Sequence, residues 1–255
     1  MSVPVADLPT TALLAWIRLR DGLRLVLGDD LVALWGYGAR ALPDPPLRLG
    51  DVDAFAVLRR APTQRRARQI RSAHETITRE LETDLDVGYI VARDAAHRDP
   101  PHDVLRADRR YETWALHRAH WLAGRYVLLH GKTPDEVVSP TTWAELERAL
   151  RLELEHLERH VAAGDDDLYE TSYAILNGSR ILYSLANRDV VTSKRAAGGW
   201  ALEHLPARWR GAIRAATRAY DGEATARDLR ALRAAMAPFV AMVREQAAAP
   251  EPRIP

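Results

Sequence analysis

The chain has 255 residues, 47% hydrophobic and 28% charged, enough apolar material for one large core or two ordinary ones. A formal net charge of +1 provides no basic field for a nucleic-acid backbone, and a cysteine count of zero excludes disulfides and thiolate metal sites. No apolar run approaches membrane-spanning length, and the opening MSVPVADLPTTALLAW lacks a basic stretch before a long apolar one. The expectation is therefore a cytoplasmic protein that binds neither membrane nor nucleic acid.

Residues 11–27 carry apolar side chains at helical spacing, which predicts an amphipathic helix. LVALWGYG, 31–38, is short, apolar and glycine-ended, hence a buried strand, and the stretch 39–50 with Pro43, Pro45 and Pro46 reads as a loop. A second strand follows at 51–58, an arginine-rich helix at 62–81 and a third strand at 85–91. Beyond Arg98 strands largely cease: 111–130 reads as helical, and HGKTPDEVVSPTT, from His130, as the connection between two domains. Helices are then expected over 143–163, 168–186, 192–205, 209–220 and 224–246, ahead of a disordered tail. The fold class is α+β, a small mixed sheet with helices followed by an all-α helical bundle, with domains 1–138 and 139–255.

HGKT at 130–133 is not a phosphate loop, because the glycine needed five residues ahead of the Gly-Lys pair is Tyr126; it reads as a turn. His156, with Arg151 five residues before it, fits the Arg-x4-His spacing of helical RNase toxins, but in a chain with so many arginines it reads as a solvated helix face. Lys132 and Lys194 are the only lysines, so a compact point charge was kept at two places.

LGDVDAFAVL, 49–58, is more informative. A strand puts residues i and i+2 on one face, so Asp51 and Asp53 stand side by side next to apolar surface. Such a pair repels and loses hydration unless a cation lies between the carboxylates. The glycine turn Tyr37–Ala39 ends the strand before it, and Asp86 lies in the next strand, so three carboxylates could converge. Oxygen donors of this kind suit Mg²⁺, which keeps waters and a nucleotide's phosphates, while one carboxylate deprotonates an attacking hydroxyl.

Gly38-Ala39, Asp51-Val52-Asp53 and Leu85-Asp86-Val87 resemble the Gly-Ser, Asp-h-Asp, h-Asp/Glu-h pattern of the polymerase-β-type nucleotidyltransferase superfamily. In the second half, SRILY, SKRAAGGWALEHLP and RAY, within 173–220, resemble the C-terminal helical domain of the aminoglycoside (3″)(9) adenylyltransferases, and YVLLHGKTPDEVV resembles the segment joining that family's domains. The resemblance implies transfer of AMP from ATP to a hydroxyl of a small cationic substrate, streptomycin or spectinomycin being the family's examples. It casts Asp51 and Asp53 as Mg²⁺ ligands and Asp86 as the base, all three as catalytic residues. It places Gly38, Ala39, Arg180, Lys194 and Tyr220 at ATP, and Trp114, Asp166, Glu170 and Tyr173 at the substrate.

Each residue also has an ordinary reading: Arg180 and Lys194 on a helix surface, Tyr220 packed between helices, and Asp165, Asp166 and Asp167 capping a helix whose first turn holds Glu170. Capping is preferred for Asp165 and Asp167, and both readings stay open for Asp166. The chain departs from the family at Ala39 where a serine is usual, in a longer proline-rich spacer before Asp51, and in an Asp86 where Glu is usual; Asp84 is an alternative base. The competing functions are a non-enzymatic nucleotide or small-molecule binder of the same fold, and a nucleotidyltransferase acting on a macromolecule. A monomer or a homodimer fits equally.

Overall fold

The computed structural model describes residues 10–41, 51–164 and 166–248. Asp165, the proline-rich stretch 42–50 and the expected tail beyond 248 lie outside them. The described residues up to 141 form one compact unit and those from 142 a second.

The first unit is built on a four-stranded sheet: β1 (Leu31–Tyr37), β2 (Val52–Leu58), β3 (Leu85–Val91) and β4 (Val127–Gly131), in the order β3-β2-β1-β4. β1 runs antiparallel to β2 and β4, while β2 and β3 are parallel. The parallel pair needs a crossover, which α2 (Gln64–Leu81) supplies; Thr63 caps it, its side chain accepting from the Arg66 N–H. Side chains alternate between the two faces. Leu34, Ala54, Ala56 and Tyr89 join α1 (Thr10–Leu27) and α2 in one core, with Trp16, Leu19, Leu23, Ile70 and Ile77. Ala33, Trp35, Phe55, Val57 and Ile90 form the other, with α4 (Trp114–Leu122) and Tyr111. Between β3 and α4 lie the short α3 (Ala92–Ala95) and a long connection.

Trp16 shows how closely α1 seats. Its ring would collide with a Cβ at Gly36, at 2.6 Å, and its Nε1 donates to the Asp53 carbonyl at 2.9 Å. On α2, His74 stacks on Tyr89 and makes a 2.7 Å hydrogen bond with its hydroxyl. Burial, with the nearby positive charge of Arg106, pushes the His74 pKa down to about 4.

The expected helix over 111–130 is corrected to α4 and then β4. Gly124, at φ 82°, ends the helix, and the β-prone Tyr126-Val127-Leu128-Leu129 that follows pairs with β1 instead of continuing it. HGKT is thus the end of an edge strand. A Cβ at Gly131 would lie 2.0 Å from the Val32 carbonyl oxygen, and φ there is 69°. Thr133 then opens a capping box with Glu136 over a short 3-10 turn, Pro134–Glu136.

The second unit consists of α5 (Trp143–Ala163), α6 (Leu168–Asn187), α7 (Lys194–His204), α8 (Arg210–Tyr220) and α9 (Ala226–Ala248). A Thr142–Glu145 capping box starts α5, and Gly164 in the left-handed region ends it. Asp167 caps α6, accepting from the Glu170 N–H at 2.8 Å, and Ser193 caps α7, accepting from the Ala196 N–H at 2.9 Å. α6 is the central helix, and along it Gly178 admits the Phe239 ring of α9, which would meet a Cβ at 2.9 Å. The expected helices fall in place here; of the face expected to be solvated, Arg151 is exposed and paired with Glu147 at 2.8 Å, whereas His156 is half-buried, its Nε2 3.0 Å from that of His160. No helix among the described residues is long and apolar enough to cross a membrane.

Candidate active site

Tyr37, Asp53 and Asp86 stand abreast across β1, β2 and β3: Tyr37 is the register partner of Asp53, and Asp53 of Asp86. They continue the aromatic face of the sheet outward, since the row behind them is Trp35, Phe55 and Gly88. The carboxylates thus sit at the end of the strands, where a buried face gives way to solvent: Asp53 and Asp86 are half-buried, and Asp51, one residue before β2, is exposed. Burial, with the negative charges of Asp53 and Asp86, pushes the Tyr37 hydroxyl well above its ordinary pKa, so it stays protonated.

Gly38 begins the turn after β1 with φ 74°, and a Cβ there would lie 1.8 Å from Asp53 Oδ2. The motif's glycine is therefore demanded twice, by backbone conformation and by the carboxylate pressed against it. Ala39, half-buried, follows in the same 3-10 turn.

Asp86 has company that its sequence neighbourhood does not announce. Arg109 grips it with both nitrogens, Nη1 to Oδ1 at 2.9 Å and Nη2 to Oδ2 at 3.1 Å, and Arg106 Nη1 adds a contact to Oδ1 at 3.2 Å. Burial would raise the Asp86 pKa, but the hydrogen bonds and charge of Arg109, with those of Arg106, outweigh it and hold the carboxyl below its ordinary range. Among the described residues no three His, Cys, Asp or Glu side chains are gathered as metal ligands. The expected convergence of three carboxylates is corrected accordingly: Asp86 turns to two guanidiniums. The pair that remains, Asp51 and Asp53, still suits Mg²⁺, which takes one or two carboxylates and fills its other positions with water and phosphate oxygens.

Trp114 lies elsewhere. It is 0% exposed, packed against Phe55, Tyr111 and Trp121, with Nε1 donating to the His97 carbonyl at 3.3 Å. The expectation of a substrate wall there is corrected to a core residue, since a fully enclosed ring presents no face to a ligand.

In the helical unit, three of the expected residues come together. Lys194 Nζ lies over the Tyr173 ring at 4.5 Å and over the Tyr220 ring at 5.7 Å, a cation held between two aromatic faces. Lys194 is the first residue of α7, Tyr173 belongs to α6 and Tyr220 ends α8, so the cluster ties three helices. Arg180, two turns along α6 from Tyr173, donates to Asn177 Oδ1 at 3.3 Å. Sequence reading missed Glu153, whose Oε1 accepts from the Tyr173 hydroxyl at 2.8 Å and from Asn177 Nδ2 at 2.6 Å. Burial and the Glu153 charge drive the Tyr173 pKa far up, so its hydroxyl remains a donor.

Of the remaining acidic positions, Asp166 is exposed and paired with Arg233, Nε to Oδ2 at 3.1 Å, while Glu170 Oε2 lies 3.0 Å from His160 Nδ1. Each of the two carboxylates thus has a cationic or imidazole neighbour.

Residues 136–246 match the family model "Aminoglycoside adenylyltransferase, C-terminal domain". No curated protein sequence gives a significant match. Among solved structures, the fold is similar to that of the spectinomycin adenyltransferase AAD(9) from Enterococcus faecialis, determined with ATP and spectinomycin: TM-score 0.71 at 14% identity, over 90% of this chain and 98% of that one. A tri-AMPylated HEPN toxin in complex with its MNT antitoxin, from Shewanella oneidensis, gives a TM-score of only 0.29 at 12% identity, over 61% of this chain and 97% of that one. The α+β fold with its helical second part is thereby similar to the fold of the AAD(9) structure.

Proposed function

We propose that this chain, whose residues 136–246 match the C-terminal domain model of the aminoglycoside adenylyltransferases, belongs to that family and transfers AMP from ATP to a hydroxyl of a small cationic molecule, with an aminocyclitol antibiotic as the leading acceptor. The observation that carries the reading is the row Tyr37–Asp53–Asp86 with Gly38 fitted against the Asp53 carboxylate. It supplies negative oxygens at the open end of a sheet, in a chain whose second unit offers a cation between two aromatic rings.

Asp51 and Asp53 would hold Mg²⁺, which when bound supplies positive charge to the phosphates. Asp86 takes the proton of the acceptor hydroxyl; that oxygen bonds to the α-phosphorus, the bond to the β-phosphate oxygen breaks, and pyrophosphate leaves. The arginines keep Asp86 ionised, as a base must be. Lys194 and Arg180 offer positive charge to phosphate oxygens, and Tyr220 a flat apolar face for adenine or ribose. Gly38 and Ala39 offer backbone N–H groups in place of the family's serine hydroxyl. Asp166 and Glu170 are proposed to meet the substrate's cationic groups, with Tyr173 beside them through its ring.

A second reading, a nucleotide-binding relative without transfer, draws on one observation: both oxygens of Asp86 are occupied by Arg109. Incubation with ATP, Mg²⁺ and a panel of aminocyclitols separates the two. Pyrophosphate and an adenylylated product support transfer; ATP binding with neither product supports the alternative.

A further inference from the structure

The segment 101–111 was silent as sequence, yet it delivers both guanidiniums to Asp86, and its organising group is Asp103. This carboxylate is buried, with a side chain 0% exposed. Its Oδ1 accepts from the backbone N–H of Leu105 at 2.7 Å and of Arg106 at 2.9 Å. Its Oδ2 accepts from the Tyr111 hydroxyl at 2.6 Å, from the Tyr89 N–H at 3.3 Å, and from Arg106 Nε and Nη2 at 3.3 and 3.2 Å. The Asp103 N–H closes the turn by donating to the Arg109 carbonyl at 2.9 Å. One residue thus fixes Arg106 through its side chain and Arg109 through the backbone.

A buried carboxylate left unpaired would be strongly unfavourable, and this one is matched donor for donor. That completeness makes it a rigid anchor, and the guanidinium it holds reaches onward to Asp86 and to the Val87 carbonyl, at 2.8 Å. The Arg106, Arg109 and Asp86 side chains keep 39%, 36% and 34% of their exposure, so the far end of the chain of contacts is open to a ligand while the near end is sealed.

We propose that Asp103 is a positioning residue: through Arg106 and the turn it closes, it sets where Asp86 points toward the acceptor. This rests on the reading of Asp86 as the group that meets the acceptor hydroxyl. A side chain fixed at its own anchor need not move during reaction, and a displacement near 1 Å at a reacting group is worth on the order of 10²-fold in rate.

The test is Asp103→Asn in the full chain, with Tyr111→Phe as the control that removes one hydrogen bond from Asp103 and leaves Arg106 in place. Expected for Asp103→Asn is a kcat lower by on the order of 10²-fold with an unchanged KM for ATP, while Tyr111→Phe melts at a lower temperature but keeps its kcat. Arg106→Gln combined with Asp103→Asn is expected to lose no more than the worse single variant, because both act along one path. A wild-type kcat in folded Asp103→Asn, or losses that multiply in the double variant, overturns the proposal.

The arginine Nε–H resonances give a readout independent of transfer. The resonance of Arg106, whose Nε donates to Asp103 Oδ2, is expected to be exchange-protected in the native chain and to lose protection in Asp103→Asn. Unchanged protection in the variant overturns the positioning whatever the activity. Lost protection in a chain that transfers AMP to no acceptor leaves the positioning standing and removes the adenylyltransferase reading instead.

Discussion

Replacing Gly38 by alanine probes the site where the geometry is tightest. At φ 74° an alanine enters the left-handed region, at a cost of about 1–2 kcal/mol, which corresponds to roughly 2–8 °C in Tm for a chain of this size. The added methyl also starts 1.8 Å from Asp53 Oδ2, well inside contact distance, so either the turn or the carboxylate has to give. A shift of Asp53 by about 1 Å is expected to lower transfer by on the order of 10²-fold, far beyond what the stability loss accounts for. Gly28 is the matched control: its φ is 54°, but a Cβ there meets nothing within 4 Å. Gly28→Ala is therefore predicted to lose comparable stability and to keep its activity. Thermal melts and pyrophosphate release on both variants decide the matter. Gly38→Ala with wild-type turnover, or Gly28→Ala losing as much activity, refutes the claim that the glycine serves the carboxylate.

Other expectations follow from the same contacts. Asp51→Asn and Asp53→Asn are each predicted to abolish transfer in a folded protein and, by relieving repulsion, to raise the melting temperature without Mg²⁺; turnover near wild type in either counts against the metal pair. Lys194→Ala removes the cation between Tyr173 and Tyr220 and is expected to weaken ATP binding by about 1.5–3 kcal/mol, read by calorimetry; unchanged affinity returns Lys194 to a packing role. His74 has its pKa held at about 4 against an ordinary 6.5, so it stays neutral in the folded chain while the unfolded chain takes up a proton as pH falls through 6.5. Stability is therefore expected to be complete above that pH and to fall by up to about 3 kcal/mol on the way down to pH 4; His74→Gln flattens this part of the profile, and an unaltered slope refutes the assignment.

The strands that carry the site were legible because their pattern is local. β1, β2 and β3 are short apolar runs bounded by glycines and turns, and period-2 alternation alone puts Asp53 and Asp86 on the face of Phe55 and Ile90. β4 was read as helix because only Gly124, mid-segment, marks where the period changes. The Asp103 anchor and the Arg106 and Arg109 grip were invisible for a different reason. Their partner Asp86 lies 20 and 23 residues away, and pairing at that range leaves no periodic trace. Trp114 shows the opposite failure, since the resemblance placed it at a substrate and close packing placed it in the core. Tyr173 and Tyr220 stand out by resemblance alone, and Lys194 also by its rarity; three helix termini and faces have to assemble before a cation between two rings is seen.

The most direct measurement is the product of incubating the chain with ATP, Mg²⁺ and each of a panel of aminocyclitol antibiotics, read by mass, with Asp86→Asn alongside. The account predicts an acceptor heavier by one adenylyl group, pyrophosphate in equal amount, and an Asp86→Asn variant that binds MgATP normally while transferring roughly 10²–10⁴-fold more slowly. An Asp86→Asn variant that adenylylates as fast as the native chain contradicts the account, and so does a native chain that binds MgATP and leaves every acceptor unmodified.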